Sequence, residues 1–299
     1  MSVAVSVSLG VASAVVYGAS IVIQHGVAQQ HADDEPSAAG LLRQMRSPAW
    51  LFAIGGDFVG FLLQIAALST GSVVLVQPLV VLMLPVALMV SFLMGGPRPG
   101  RGEYLGVAAV LIGLATFLAV LGHGGMTHVP RPRYTAMTVG IVLVIGLVLC
   151  LAVTGRNRVV RAATFGAVAG LYFGTLAVMV DALSEQASRT DGLSALFTHP
   201  RGYVPLIGAF LVGMSGIVLT QLSFQMGALG ATLPANLVVD PLTGVVLGAA
   251  LLREHLPTSP WHVVVYVVCI GVVLAGTIRL ANLNRDTRRP DSGVAPEPT

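Results

Sequence analysis

The sequence predicts an all-α fold: a polytopic membrane helix bundle of about nine transmembrane helices, arranged as an inverted structural repeat. Three observations carry that prediction. Of 299 residues, 55% are hydrophobic and 10% are charged, and the mean hydropathy is +0.85, whereas about one-quarter of a soluble domain is charged. Apolar runs of about 18 residues or more recur along the chain, each long enough to cross a hydrocarbon core as a helix. The chain also matches itself at a shift of 156 residues. Water cannot solvate this much apolar surface, so lipid must. That excludes a cytosolic enzyme, a nucleic-acid module and a disordered scaffold.

The elements follow in order. The first run, 4–28, lacks the basic flank of a signal peptide and is long enough to span, so it reads as a helix closed by Gln24 and His25. From Ser37 towards Trp50, the apolar Leu41, Leu42 and Met45 and the basic Arg43 and Arg46 are spaced as on a short helix lying in the membrane interface. Spans two and three, 48–68 and 71–94, are separated only by 69–72, a tight hairpin. Spans four, five and six follow at 103–122, 135–153 and 159–181. Spans seven and eight, 202–224 and 227–251, form a second hairpin at Gln225, Met226 and Gly227, and the ninth covers 260–281. Beyond it the tail is polar and proline-bearing, which predicts disorder over 282–299.

Arginine sets the orientation. All 16 basic residues are arginine and the net charge is +3, with a pI near 9.2. They fall between apolar runs, not in a stripe, so they mark topology and give no reason to expect nucleic acid as a partner. One side collects Arg43, Arg46, Arg98, Arg101, Arg156, Arg158, Arg161, Arg279, Arg285, Arg288 and Arg289; the other has Arg131, Arg133, Arg189, Arg201 and Arg253. The first side is therefore expected to be cytoplasmic, with the N-terminus outside, the C-terminus inside and the chain in the cell's inner or plasma membrane. Cys150 and Cys269 lie within spans, so neither a disulfide framework nor a zinc site is expected.

The 156-residue shift pairs Gly10 with Gly166, Gly18 with Gly174, Gly60 with Gly216, Gly71 with Gly227, Pro78 with Pro234 and Pro85 with Pro241. Spans one, two and three thus fall on six, seven and eight, hairpin on hairpin. Five helices separate each pair, an odd number, so the halves are inverted. The organisation expected is a first repeat over 1–122, a connecting helix in 123–156, a second repeat over 157–281, and the tail. Many secondary transporters share this design, with the substrate at the midplane where the halves meet. Gly166, Gly170 and Gly174, with the pairs Gly56/Gly60 and Gly244/Gly248, read as small-residue faces that let helix backbones approach.

Several short stretches suggest a relationship. Residues 17–23 (YGASIVI), 75–79 (LVQPL) and 248–256 (GAALLREHL), set in an inverted bundle with two tight hairpins, resemble the drug/metabolite transporter superfamily. The first half is similar to its NIPA-type magnesium transporter branch. The resemblance spans about 5–281. One departure is the turn at 95–98 (GGPR) in the first half, which lacks the acid found at Glu254 in the second. The branch implies divalent-cation transport; the wider superfamily implies export of amino acids, drugs or other metabolites.

Candidate site residues are the polar ones inside spans. Asp57 lies about nine residues into its span, roughly 13 Å at 1.5 Å per residue, and Asp240 about thirteen into its own. An acid at that depth marks a functional site or else hydrogen-bonds a neighbouring helix in its protonated form. Ionised, it faces a cation; protonating in turn, it couples transport to protons. Pro78 and Pro85, and Pro234 and Pro241, free backbone carbonyls partway through the membrane and read as gating kinks or as packing bends. Gln64, Gln77, Thr220 and Asn236 would then line the cavity with oxygen, suited to a hydrated Mg²⁺ or to an amino or hydroxyl group. Tyr17 and Tyr172 line it or pack between helices. His25 and Asp181 are paired by the shift and read as gate residues or interfacial caps.

No enzyme is expected. Residues 213–216 (GMSG) resemble the nucleophile motif of rhomboid intramembrane proteases, but His255 and His262 fall at a helix end. No phosphate loop is present, so no cofactor or ATP is expected; the partners expected are the lipid bilayer and a small solute or cation. The metal, if any, and the oligomeric state are not readable from the residues.

Overall fold

The computed structural model describes residues 3–31, 36–70, 79, 82–96, 98–121, 130–189, 197–252 and 259–286. Ten α-helices account for most of them: α1 (Val3–Gln30), α2 (Ala38–Met45), α3 (Pro48–Thr70), α4 (Met83–Leu93), α5 (Arg101–Leu121), α6 (Pro132–Ala152), α7 (Arg158–Arg189), α8 (Pro200–Gln225), α9 (Leu229–Leu247) and α10 (Pro260–Asp286). α9 continues into a π-helical turn over Gly248–Leu252. Seven of them (α1, α3, α6, α7, α8, α9 and α10) are long and apolar enough to cross a membrane, and α4 and α5 occupy the two remaining apolar runs. The chain is thus an integral, multi-pass, all-α membrane bundle. Its outer surface is apolar, with Phe52, Phe58, Ile141, Val144 and Val148 exposed where acyl chains solvate them.

Local chemistry explains the helix ends. The Ser37 hydroxyl caps α2 by accepting from the Gly40 N–H at 2.9 Å. Pro132 and Pro200 open α6 and α8, where a missing N–H costs nothing. Gly227 turns α8 into α9 with φ +72°, a left-handed conformation that favours glycine, and donates to the Phe224 carbonyl at 2.9 Å.

Two expectations need correction. α10 continues to Asp286, so 282–286 of the expected disordered tail are helical; no proline or glycine stops the helix there. α7 likewise passes 181 and continues to Arg189. Residues 71–78 and 80–81 of the third span, with the hairpin's Gly71 and Ser72 among them, and 287–299 lie outside the described residues.

Packing fixes the direction of each helix. α1 and α3 are antiparallel: Ser6 and Ser13 donate to the carbonyls of Ala67 and Gly60 at 3.0 and 2.8 Å, and Gln24 reaches Asp57. α7 and α9 run parallel, because Gly166, Gly170 and Gly174 face the backbone of Thr232, Asn236 and Asp240 in turn. The start of α8 meets the end of α7 at Gly208 and Met179, while its end meets the end of α1, where Gln29 donates to the Phe224 carbonyl. The ends of α1 and α8 therefore share one membrane face, and α1 runs antiparallel to its repeat equivalent α7.

The repeat recurs in the contacts. A Cβ on Gly60 would stand 3.2 Å from the Tyr17 ring, and one on Gly216 would stand 2.9 Å from Phe173, the same pair 156 residues later. α5 and α10, also repeat equivalents, cross antiparallel with Gly113 against Val273 and the Cys269 carbonyl, and Gly106 against Leu280 and the Gly276 carbonyl. Position 113 thus meets position 269, its own equivalent. A two-fold axis lying between equivalent helices requires such a meeting. Around this crossing, Val22, Leu84, Ala87, Val107, Val110, Leu233, Leu237 and Leu280 form a core shared by both halves.

Candidate functional site

A chain of buried side-chain amides runs inward from the face where α1 and α8 end, linking three spans and the short α2. Gln44 on α2 donates to the Gln221 side-chain oxygen on α8. Gln221 in turn donates to Gln24 Oε1 on α1 at 2.5 Å, and Gln24 Nε2 donates to Asp57 Oδ2 on α3 at 2.6 Å. Every donor points towards Asp57, so the chain ends on its carboxyl group. Gln24, Gln44 and Gln221 are 2%, 0% and 3% exposed. An amide that deep needs a partner, because hydrocarbon offers none. A second tie fastens α2 to α8: the Ser37 N–H donates to Gln225 Oε1 at 3.0 Å.

The chain leaves some bonding capacity unfilled. Among the described residues, Asp57 Oδ1, Thr220 Oγ1, Gln44 Oε1, Gln225 Nε2 and Trp50 Nε1 are buried without a hydrogen-bond partner. Asp57 thus offers a carboxylate oxygen from a fixed position.

Depth follows from the helix starts. α3 and α9 begin at the same face, since α3 starts beside the end of α1 and α9 follows the end of α8. Asp57 lies nine residues beyond Pro48 and Asp240 eleven beyond Leu229, which puts them about 14 and about 17 Å in, near the middle of a core about 30 Å thick. They occupy different interfaces. Asp57 lies on the α1–α3 seam and reaches α8 only through Gln24 and Gln221, whereas the backbone of Asp240 packs on Gly170 and Gly174 of α7.

The other candidates separate into groups. Tyr17 donates to Gln64 at 3.5 Å, two helical turns beyond the Gln24–Asp57 bond along the same α1–α3 seam. Thr220 precedes Gln221 on α8, and the His25 ring stands edge-on to Phe224 at 5.7 Å. The backbone of Asn236 lies on the α7–α9 seam with Asp240. Tyr172 sits elsewhere: it is buried against α6 and donates to the Leu143 carbonyl at 3.2 Å. Pro234 and Pro241 are inside α9, as the kink reading requires. Pro85 is not mid-helix; it is the third residue of α4, whose N–H would lack an intrahelical partner anyway. Gln77, Pro78 and the Asp181 side chain lie outside the described residues. Among the described residues, no group of three or more His, Cys, Asp or Glu gathers as a metal cage.

Sequence reasoning missed Gln44, Gln221 and Gln225 as members of the site. Their signal was present: each is a glutamine in or beside an apolar run, and such an amide must find a partner. Ser6, Ser13 and Ser20, seven residues apart on α1, carried a similar signal for the α1–α3 seam.

No protein-family model and no solved structure matches the chain. It is similar to an uncharacterised protein of Corynebacterium glutamicum, 27% identical over 280 residues, which cover 92% of this chain and 94% of the relative.

Proposed function

We propose that this protein is a secondary transporter of the drug/metabolite type, similar to its NIPA-type branch, that moves a small solute across the membrane by alternating access and catalyses no reaction. The observation that supports it is the pair of acids, Asp57 and Asp240, near the middle of a bundle whose halves run antiparallel. Charge at that depth is costly to maintain without a use, and inverted halves supply the rocking motion that exposes a central site to each side in turn. Asp57 and Asp240 are the groups that bear on the solute's charge. Gln24, Gln64, Thr220 and Tyr17 supply neutral oxygen and N–H or O–H contacts around the α1–α3–α8 seam. Pro234 and Pro241 allow α9 to bend. The arginine bias supports a cytoplasmic position for the face formed by the ends of α1 and α8.

The solute proposed is a divalent cation such as Mg²⁺. Mg²⁺ gives up its water reluctantly and is met by one or two carboxylates with several waters retained, which suits Asp57 at the end of its amide chain, with Asp240 a second acid at similar depth. A second reading is supported by the amides themselves: neutral donors and acceptors beside one carboxylate equally suit an organic solute with an amino group, exported in exchange for protons.

Purified protein in liposomes loaded with a Mg²⁺-sensitive dye tests this. Mg²⁺ entry abolished by both Asp57→Asn and Asp240→Asn is the expected result. No entry through folded, inserted protein refutes the magnesium reading. A proton flux driven by organic amines under the same conditions would then support the second reading, and silence in both assays would leave a non-transporting membrane subunit.

A further inference from the structure

The two-fold relation between the halves is broken at one place. At the face where α1 and α8 end, Gln24 of α1 meets Gln221 of α8. Exchanging each residue for its repeat equivalent turns this pair into Val180 of α7 and Ile65 of α3, at the opposite face. There, among the described residues, α3 and α7 form no interface comparable with that of α1 and α8. Ile65 is 48% exposed and Val180 50%, while Gln24 and Gln221 are 2% and 3% exposed. The amide pair is buried at one face, and its symmetry mates stand apart and exposed at the other.

We propose that the two contacts are alternative gates: the amide contact Gln24–Gln221, braced by Gln44, closes one face, and an apolar contact between Ile65 and Val180 closes the other when the amides part. This rests on the transporter reading and names how that site is regulated. An inverted repeat supports it physically, because each half can adopt the conformation of the other without a change of fold. The chemistry of the two gates differs. The amides exchange their mutual hydrogen bonds for water when they separate, at small net cost, so their gate opens readily to an aqueous phase. The Ile65–Val180 gate closes by removing apolar surface from water. Gln44 makes α2 part of the first gate, and the exposed Leu42 and Met45 keep that helix at the membrane surface when the gate opens.

Spin labels on Ile65→Cys and Val180→Cys, in a Cys150→Ala, Cys269→Ala background, measure the second gate by pulsed electron–electron distance measurements in nanodiscs. We expect a short-distance population whose ratio to the long one rises about threefold in Gln24→Ala, the effect of losing one neutral buried hydrogen bond from the first gate. Gln44→Ala should shift it in the same direction by less, and serves if Gln24→Ala does not fold. A single long distance unchanged in both variants overturns the proposal. Joining the same two thiols with a short bifunctional reagent should stop flux reversibly on reduction. Flux persisting after complete cross-linking also overturns it. If distances shift as expected yet no solute crosses the unmodified protein, the gates stand and the transporter reading falls.

Discussion

Replacing Gln24 by alanine tests whether the amide chain holds the bundle together. Gln24 donates to Asp57 at 2.6 Å and accepts from Gln221 at 2.5 Å while 2% exposed, so the substitution removes two buried hydrogen bonds at once. Bonds between transmembrane helices contribute about 0.6 kcal/mol on average and up to about 1.7, and a bond to a carboxylate belongs at the upper end. The sum is about 2 kcal/mol, or roughly a 30-fold shift in the unfolding equilibrium. Alanine also leaves Asp57 without a donor on either oxygen, since Oδ1 already lacks one, which pushes the loss upward. Reversible unfolding in bicelles, followed by steric trapping, measures it. A double-mutant cycle with Asp57→Ala isolates the pair and should return a coupling of about 1 kcal/mol. Single losses that add to within about 0.3 kcal/mol in the double variant would refute the reasoning.

The helix seams yield further expectations. Gly170→Ala sets a Cβ 2.5 Å from the Asn236 carbonyl oxygen and should cost about 1–3 kcal/mol by forcing α7 from α9, whereas at Gly244 nothing lies within 4 Å, so alanine there should change unfolding by less than about 0.5 kcal/mol. Gly216→Ala, crowding the Phe173 ring at 2.9 Å, should lower the melting temperature, and the added substitution Phe173→Leu should restore part of it. At Gly227, φ +72° makes alanine strained by about 1 kcal/mol, read as a lower melting temperature and faster proteolysis at the turn between α8 and α9.

The sequence by itself determined the solvent, the helices and their repeat. Hydropathy fixes where spans lie because hydrocarbon requires each backbone N–H and C=O to bond within its own helix, and that is a local property. Glycine at 60 and 216 marked the repeat because close approach is a demand on single positions, as the left-handed turn is at Gly227. The hairpin at Gln225, Met226 and Gly227 and the interfacial helix beginning at Ser37 were legible for the same reason. Boundaries were less so: a helix continues into water until something stops it, and nothing stops α10 before Asp286.

Only the tertiary structure decided which polar groups meet. Hydrogen-bond partners here lie 33, 177 and 197 residues apart, and no local pattern encodes such distances. Tyr17 and Tyr172 occupy nearly equivalent depths, yet one joins Gln64 and the other turns to a carbonyl of α6, because the neighbouring helix differs. Pro85 and Pro241 match in the repeat, yet one opens a helix and the other lies within one. The break in symmetry between the two faces is likewise a property of packing. The two halves carry the same helix pattern, but glutamines meet at one face, while their equivalents Ile65 and Val180 stand apart and exposed at the other. Side-chain chemistry at those four positions, set against one another across the bundle, determines which face closes.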